Sequence, residues 1–326
     1  MMSEPDQAVT PGAPRPALKR LAVVGLGLIG SSIARVARAR GLAGEVVAFD
    51  SNADVRARAQ ELGFADAVVD SSAEAARDAD LVILCVPVGA MGDAAQALAP
   101  ALKPGAIVSD VGSVKTAVLS ALSARLPAGV HIVPAHPVAG TEDSGPDAGF
   151  ATLFVDRWCI LTPPEGASEE AVATVKHFWT QAGSNVEIMS AAHHDLVLAT
   201  TSHVPHLIAY NIVGTAADLE EVTRSEVIKF SAGGFRDFTR IAASDPTMWR
   251  DVFLHNRDAV LEVLGRFNED LAALQRMIRW GDGQGLFDLF TRTRAIRRGI
   301  IDEGQDASTP DFGRRSAGTD AGRERK

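Results

Sequence analysis

From Arg20 onward the chain alternates short runs of branched apolar residues with longer stretches in which Ala, Leu and Val recur at helical spacing. The runs at 21–24, 46–49, 81–86, 106–109 and 131–134 are apolar throughout, as strands covered on both faces of a parallel sheet must be. The stretches 31–40, 54–62, 90–101 and 115–126 between them read as crossover helices, so the pattern is that of repeated βαβ units. Two more apolar runs, 158–162 and 186–189, flank a helical stretch at 168–182 and are expected to extend the sheet at its far edge.

After Met189 the strand pattern disappears and long helical patterns continue to about Ile301. One helix is well punctuated: Ser244 or Asp245 can serve as N-cap, Pro246 suits the first turn, and the periodicity runs on to Arg279. Its apolar positions are Phe253, Val260, Phe267 and Leu274, interleaved with Leu264, Leu271 and Ile278. That spacing serves either the core of one chain or a core shared by two. The expected architecture is α/β: a Rossmann-type parallel-sheet domain at 19–189, then an all-helical domain at 190–302 for substrate and dimerisation. Polar, Pro- or Gly-containing tails at 1–18 and 303–326 are expected to be disordered.

Composition narrows the function classes. A length of 326 residues suits about two domains, and 46% hydrophobic with 22% charged residues is globular. The net charge of -9 excludes an electrostatic footprint for nucleic acid or anionic lipid, so a bound anion must meet a local cluster of positive charge. The first 17 residues lack an apolar signal region, and no apolar run is expected to approach membrane-spanning length. Cys85 and Cys159 sit inside apolar runs and read as small core residues, which points to a reducing, cytoplasmic setting.

Gly25-Leu26-Gly27-Leu28-Ile29-Gly30 follows the first strand directly and opens the first helix. In that context Gly25 permits a tight turn, Gly27 lets a pyrophosphate approach the backbone, and Gly30 lets the helix pack on the strand. The helix N-terminus, with Leu28 and Ile29 in its first turn, supplies unpaired N–H groups. Asp50 ends the second strand twenty residues later, where a carboxylate accepts both ribose hydroxyls and repels a 2′-phosphate; NAD is expected rather than NADP. Asn52 and Asp54 suggest that no arginine stands beside Asp50. Val86 and Pro87, closing another strand, are either a wall of the nicotinamide side or a routine strand exit.

Asp110-Val111-Gly112-Ser113-Val114-Lys115 and His136-Pro137-Val138-Ala139-Gly140-Thr141-Glu142 follow successive strands and so share the sheet edge that holds the cofactor. Neutral His136 could take a proton from an alcohol while hydride leaves the same carbon, with Ser113 bonded to the histidine or the alcohol; a satisfied His-Pro turn is the plainer reading. His193, His194, His203 and His206 cluster around Ser202-His203-Val204-Pro205-His206 without the glutamate or cysteines of a zinc site, so no metal is expected. Gly233-Gly234-Phe235-Arg236-Asp237-Phe238-Thr239-Arg240 places two arginines on a glycine-rich loop, as a carboxylate clamp or a solvated pair.

Taken in order over roughly 20–301, these segments resemble the prephenate/arogenate dehydrogenase family, the TyrA-type enzymes of tyrosine biosynthesis. The resemblance implies NAD-dependent oxidative decarboxylation of prephenate to 4-hydroxyphenylpyruvate, with arogenate as a second substrate. It implies His136 as base with Ser113 positioning it, Arg240 on a substrate carboxylate, and His206 and His194 lining the same pocket. Thr141, Glu142 and Asp237 would order that pocket and its ionic gate. The family's helical domains interlock in a homodimer, which favours the shared-core reading of the long helix. With no mutase segment before Arg20 and too few residues after Ile301 for a ligand-binding regulatory domain, a monofunctional enzyme is expected, any tyrosine feedback acting at the active site. A β-hydroxyacid-type dehydrogenase would need a lysine in the stretch 193–210, which has none. A non-catalytic dinucleotide sensor would leave His136, Ser113 and Arg240 without work.

Overall fold

The computed structural model of the chain describes residues 18–141, 143–218 and 233–302. Glu142 and both expected tails, Leu18 apart, lie outside the described residues. Strands β1 (Leu18–Val24), β2 (Ala43–Phe49), β3 (Ala67–Val68), β4 (Leu81–Leu84), β5 (Ile107–Asp110) and β6 (His131–Ile132) form one sheet in the order β3-β2-β1-β4-β5-β6. All its pairings are parallel. The order reverses between β1 and β4, which opens a crevice at the carboxyl ends of the strands.

Side-chain alternation along β1 feeds two cores. Leu21 and Val23 join Leu81, Ile83, Ile33 and Ala34 on one face. Ala22 and Val24 join Val82, Leu84, Leu98 and Leu122 on the other. The crossovers are α1 (Leu28–Ala39), α2 (Ala53–Leu62), α3 (Ser72–Ala76), α4 (Met91–Leu98) and α5 (Thr116–Ser123). Side chains cap two of them, Asn52 accepting Asp54 N–H and Ser71 accepting Glu74 N–H.

The runs at 158–162 and 186–189 do not extend this sheet. They form β8 (Trp158–Leu161) and β9 (Asn185–Ile188) of a second, three-stranded sheet with β7 (Ala135–Pro137), in the order β7-β8-β9. The cause lies just after β6. Pro134 has no N–H for a ladder, its carbonyl takes Thr162 N–H at 2.9 Å, and Ala135 N–H turns to the Asp110 carboxylate at 3.3 Å. The chain therefore leaves the first sheet and β7 pairs antiparallel with β8. Helix α6 (Glu169–Ala182), capped by Ser168, binds the two sheets together through fully buried Trp179, which meets Phe154 and Phe178 edge to face.

The helical part follows as α7 (Ala191–Leu198), a π turn at Ala199–His203, α8 (Val204–Asp218), α9 (Gly233–Thr239), a 3-10 turn at Arg240–Ala243, α10 (Pro246–His255), α11 (Arg257–Trp280) and α12 (Gly283–Asp302). Three expectations change here. The segment carrying Arg236 and Arg240 is helical rather than a loop. The punctuated helix starts as expected, Asp245 accepting Met248 N–H, but breaks at Asn256, whose side chain is drawn inward. The run Ala191–Asp218 is long and apolar enough to cross a membrane by length and composition; His194, Asp195 and His203 on it are buried and pack into the site described below.

Trp179→Ala should remove about 3–5 kcal/mol of stability, as large-to-small changes at a closed core site do. Urea unfolding of the variant beside the parent protein measures it.

Candidate active site

Glycine at the β1–α1 turn is required by backbone alone. Gly25 has φ 98°, and a Cβ there would stand 2.4 Å from the Cys85 carbonyl oxygen. A Cβ on Gly30 would stand 1.9 Å from the Gly25 carbonyl oxygen. Around Gly27, by contrast, a Cβ would meet nothing within 4 Å. Gly27 caps α1 without any side-chain bond, so the N–H groups of the first turn, including those of Leu28 and Ile29, face open space. This is a cradle for a pyrophosphate.

Asp50 stands where the ribose would lie, its two carboxylate oxygens accepting Leu26 N–H at 2.8 Å and Asn52 N–H at 2.9 Å. An acceptor-only carboxylate keeps further lone pairs for ribose hydroxyls. An arginine does stand close by, contrary to expectation: Arg56, one turn into α2, donates to the Asp50 carbonyl at 3.0 Å and to that of Ser51 at 3.3 Å. Its guanidinium is thus shared between the backbone of the loop that presents Asp50, the Asp70 carboxylate at 3.4 Å and the face of Phe49. Half-buried Val86 and exposed Pro87 lead from β4 into a 3-10 turn at Val88–Ala90.

His136 lies in the centre of β7 and is buried, as are His194 and Asp195 on α7. His136 Nδ1 is 2.8 Å from His194 Nε2, and His194 Nδ1 is 2.9 Å from Asp195 Oδ1. The Asp195 carboxylate also accepts the Lys115 and Thr116 backbone N–H groups at 2.8 and 2.9 Å, joining α7 to the start of α5. Asn256 donates to the Asp195 carbonyl at 2.8 Å, and the same nitrogen lies 3.0 Å from His203 Nδ1. Trp249 meets His203 edge-on and stacks on His206 at 3.7 Å. Arg240 lies near enough for its charge to depress the His206 pKa. Contacts thus run from His136 to His206, and the charge of Arg240 reaches the far end of that chain.

Burial is the first cause holding all four imidazoles below their ordinary value. His136 is held well below it, with His194, Lys115 and His203 adding to the effect. His194 is lowered by burial against the opposing pull of Asp195, and His203 falls to about 4. Burial pushes Asp195 up, but its bonds to His194, Lys115 and Thr116 outweigh this and leave it below the usual carboxylate range.

Lys115 and Asp110 form an ion pair with no solvent access. Asp110 also accepts Gly112 N–H at 2.7 Å, and Lys115 Nζ donates to the Ala135 carbonyl at 2.7 Å, directly before His136. Burial pushes the Asp110 carboxyl up and the Lys115 ammonium down, while their mutual attraction opposes both. Asp195, Asn256, Trp249 and the Lys115–Asp110 pair were absent from the sequence-derived site. A lysine five residues from an aspartate across a glycine turn was the one local hint of the pair.

The other expected residues are placed as follows. Ser113 is half-buried in the loop after β5, its backbone facing His203; among the described residues its hydroxyl makes no bond to His136. Thr141 Oγ1 accepts Asp143 N–H at 3.2 Å. Asp237 is exposed on α9, 3.4 Å from the Arg236 guanidinium. His206 Nδ1 is 2.8 Å from the Ser202 carbonyl, and His193 points to solvent.

Comparison with known proteins closes the question of family. The family model "Prephenate dehydrogenase, nucleotide-binding domain" matches residues 33–188, and "Prephenate dehydrogenase, dimerization domain" matches 190–292. The chain belongs to the prephenate dehydrogenase family. It is 47% identical over 279 residues to a cyclohexadienyl dehydrogenase of Zymomonas mobilis, covering 86% of this chain and 95% of that one. With a prephenate dehydrogenase of Bacillus subtilis it shares 32%, over 85% and 75% of the two chains. The crystal structure of prephenate dehydrogenase from Aquifex aeolicus with hydroxyphenyl propionate and NAD+ superposes with a TM-score of 0.81 at 32% identity, covering 87% of this chain and 99% of that one.

The buried imidazoles give this member of the prephenate dehydrogenase family a pH signature. Each has a folded pKa below its unfolded value, so the unfolded chain binds more protons in acid. Their contribution to stability is full above about pH 6.5 and is lost as pH falls towards the folded values, about 4 for His203. Thermal unfolding should show a flat midpoint above that range and a falling one below it, with His203→Gln flattening the acid limb.

Proposed function

We propose that this chain is an NAD-dependent prephenate dehydrogenase that forms 4-hydroxyphenylpyruvate and carbon dioxide, and that it also accepts arogenate. The observation that carries the reading is a neutral, buried His136 at the edge of the sheet whose glycine turn forms an open pyrophosphate cradle, within a family-wide match of both domains. The acceptance of arogenate is supported by the identity to the Zymomonas mobilis relative, whose name covers cyclohexadienyl substrates generally.

NAD+ held by Gly25, Gly27, Gly30, the first-turn N–H groups of Leu28 and Ile29, and Asp50, with Val86 and Pro87 on its nicotinamide side, supplies the hydride acceptor. His136 takes the proton of the ring hydroxyl as hydride leaves the same carbon, and Ser113 donates to or accepts from that hydroxyl. The ring carboxylate departs as carbon dioxide and its bonding electrons complete the aromatic ring, which makes the step strongly downhill. Arg240 pairs with a substrate carboxylate, where a planar guanidinium gives two parallel bonds. His206, stacked on Trp249, lines the same pocket, with Thr141, Glu142 and Asp237 at its rim.

The working unit in this reading is a homodimer joined through the helical domain. Val260 is buried, but Leu261, Leu271, Ile278, Trp280, Phe287 and Phe290 are exposed along α11 and α12. Exposed large apolar residues at this density along two helices mark an association surface. The two free cysteines are consistent with a reducing cytoplasm.

Purified protein with NAD+ should produce NADH from prephenate and, at a lower rate, from arogenate. His136→Asn should lower kcat by about a hundredfold to ten-thousandfold with little change in KM; absence of NADH with both substrates would overturn the reading. Light scattering should give twice the chain mass, and Ile278→Asp combined with Trp280→Asp should halve it.

A further inference from the structure

The hydrogen-bond chain behind His136 has only one consistent direction. An ionised carboxylate accepts and never donates. Asp195 accepts Lys115 N–H and Thr116 N–H, so His194 Nδ1, 2.9 Å from Oδ1, must carry a hydrogen. A neutral imidazole has one N–H, which leaves His194 Nε2 as an acceptor. His136 Nδ1, 2.8 Å away, must then be the donor. The lone pair of His136 is left on Nε2.

A second chain runs the other way. The Asn256 amide nitrogen donates to the Asp195 carbonyl and faces His203 Nδ1, which therefore accepts. The His203 hydrogen is then on Nε2, which is buried and has no hydrogen-bond partner among the described residues. Two neighbouring histidines are thus held in opposite tautomers by groups outside the substrate pocket.

We propose that Asp195 and His194 form a relay that fixes His136 in its Nδ1–H tautomer, with Nε2 as the acceptor for the substrate hydroxyl proton. This rests on the reading of His136 as the base. His194 becomes a positioning residue rather than the substrate ligand expected from sequence. In the step itself the hydroxyl O–H bond breaks and the His136 Nε2–H bond forms, while Nδ1 keeps its hydrogen. The resulting imidazolium faces the Asp195 anion through His194, so the new charge is compensated inside a buried site.

Two measurements test the relay. In deuterated protein labelled with ¹⁵N-histidine, the ring nitrogens of the unmodified enzyme should show Nδ1–H for His136 and His194 and Nε2–H for His203. An Nε2–H tautomer at His136 would overturn the proposal whatever the activity. Kinetically, His194→Phe should lower kcat by about tenfold to a hundredfold, with KM for prephenate within about twofold. His194→Gln, whose amide can donate to Asp195 and accept from His136, should recover most of that loss; an unaltered kcat in His194→Phe would sink the relay. An unaltered kcat in His136→Asn would instead sink the reading of His136 as base and leave the tautomer result standing.

Discussion

A lysine and an aspartate sealed from water hold the two sheets in register. Asp110 closes β5 and gathers the Gly112 and Ala135 N–H groups, while Lys115 returns to it and to the Ala135 carbonyl. Burying such charges is costly, and the cost is met only when every donor and acceptor is satisfied. The knot therefore tolerates little displacement of the residue after Ala135, which is His136. The backbone of the same lysine then reaches Asp195 and ties the helical domain to the sheet. One pair thus sets the position of His136 relative to the crevice and to the helix behind it.

The rest of the site is an exercise in keeping imidazoles neutral. A base of this kind must hold its lone pair free at working pH, and desolvation achieves that without a formal partner charge at the acceptor nitrogen. The anion that matters, Asp195, is kept one residue further back, where it orients the ring yet stays away from an anionic substrate. Of the two cations near the site among the described residues, Lys115 is paired with Asp110, and Arg240 lies beside His206. In the proposed reading, acid–base work at His136 and carboxylate recognition at Arg240 are thereby separated.

Much of this was legible in the residues. Strands covered on both faces announce themselves as unbroken apolar runs, and a turn whose backbone excludes a Cβ announces itself as glycine. His136 and Arg240 were candidates from residue type and position, each with a plainer reading beside it, and the family resemblance gave them their roles. What escaped depends on partners far away in the chain: Lys115 meets Asp195 across 80 positions and Asn256 meets Asp195 across 61. Helical periodicity runs straight through Asn256, since a break made by an inward amide leaves no mark on the apolar spacing. Pro134 was visible, but whether a proline ends a sheet or merely a strand depends on where Thr162 and Asp110 stand. Arg56 was missed because it reaches Asp50 from the next helix turn.

The two ends of the crevice are built from different materials. The nucleotide end is drawn in main chain: two glycines pressed against carbonyl oxygens set the height of the turn, and the side chains of Leu26 and Leu28 beside them supply only apolar bulk while their N–H groups face Asp50 and the cradle. The imidazole end is drawn in side chains, with an assigned direction at each of the contacts joining His136, His194 and Asp195. Over evolutionary time the first can drift through many apolar sequences while its shape stays put. The second has almost no synonymous alternatives, so divergence in such a protein should accumulate around the glycine turn long before it reaches His136.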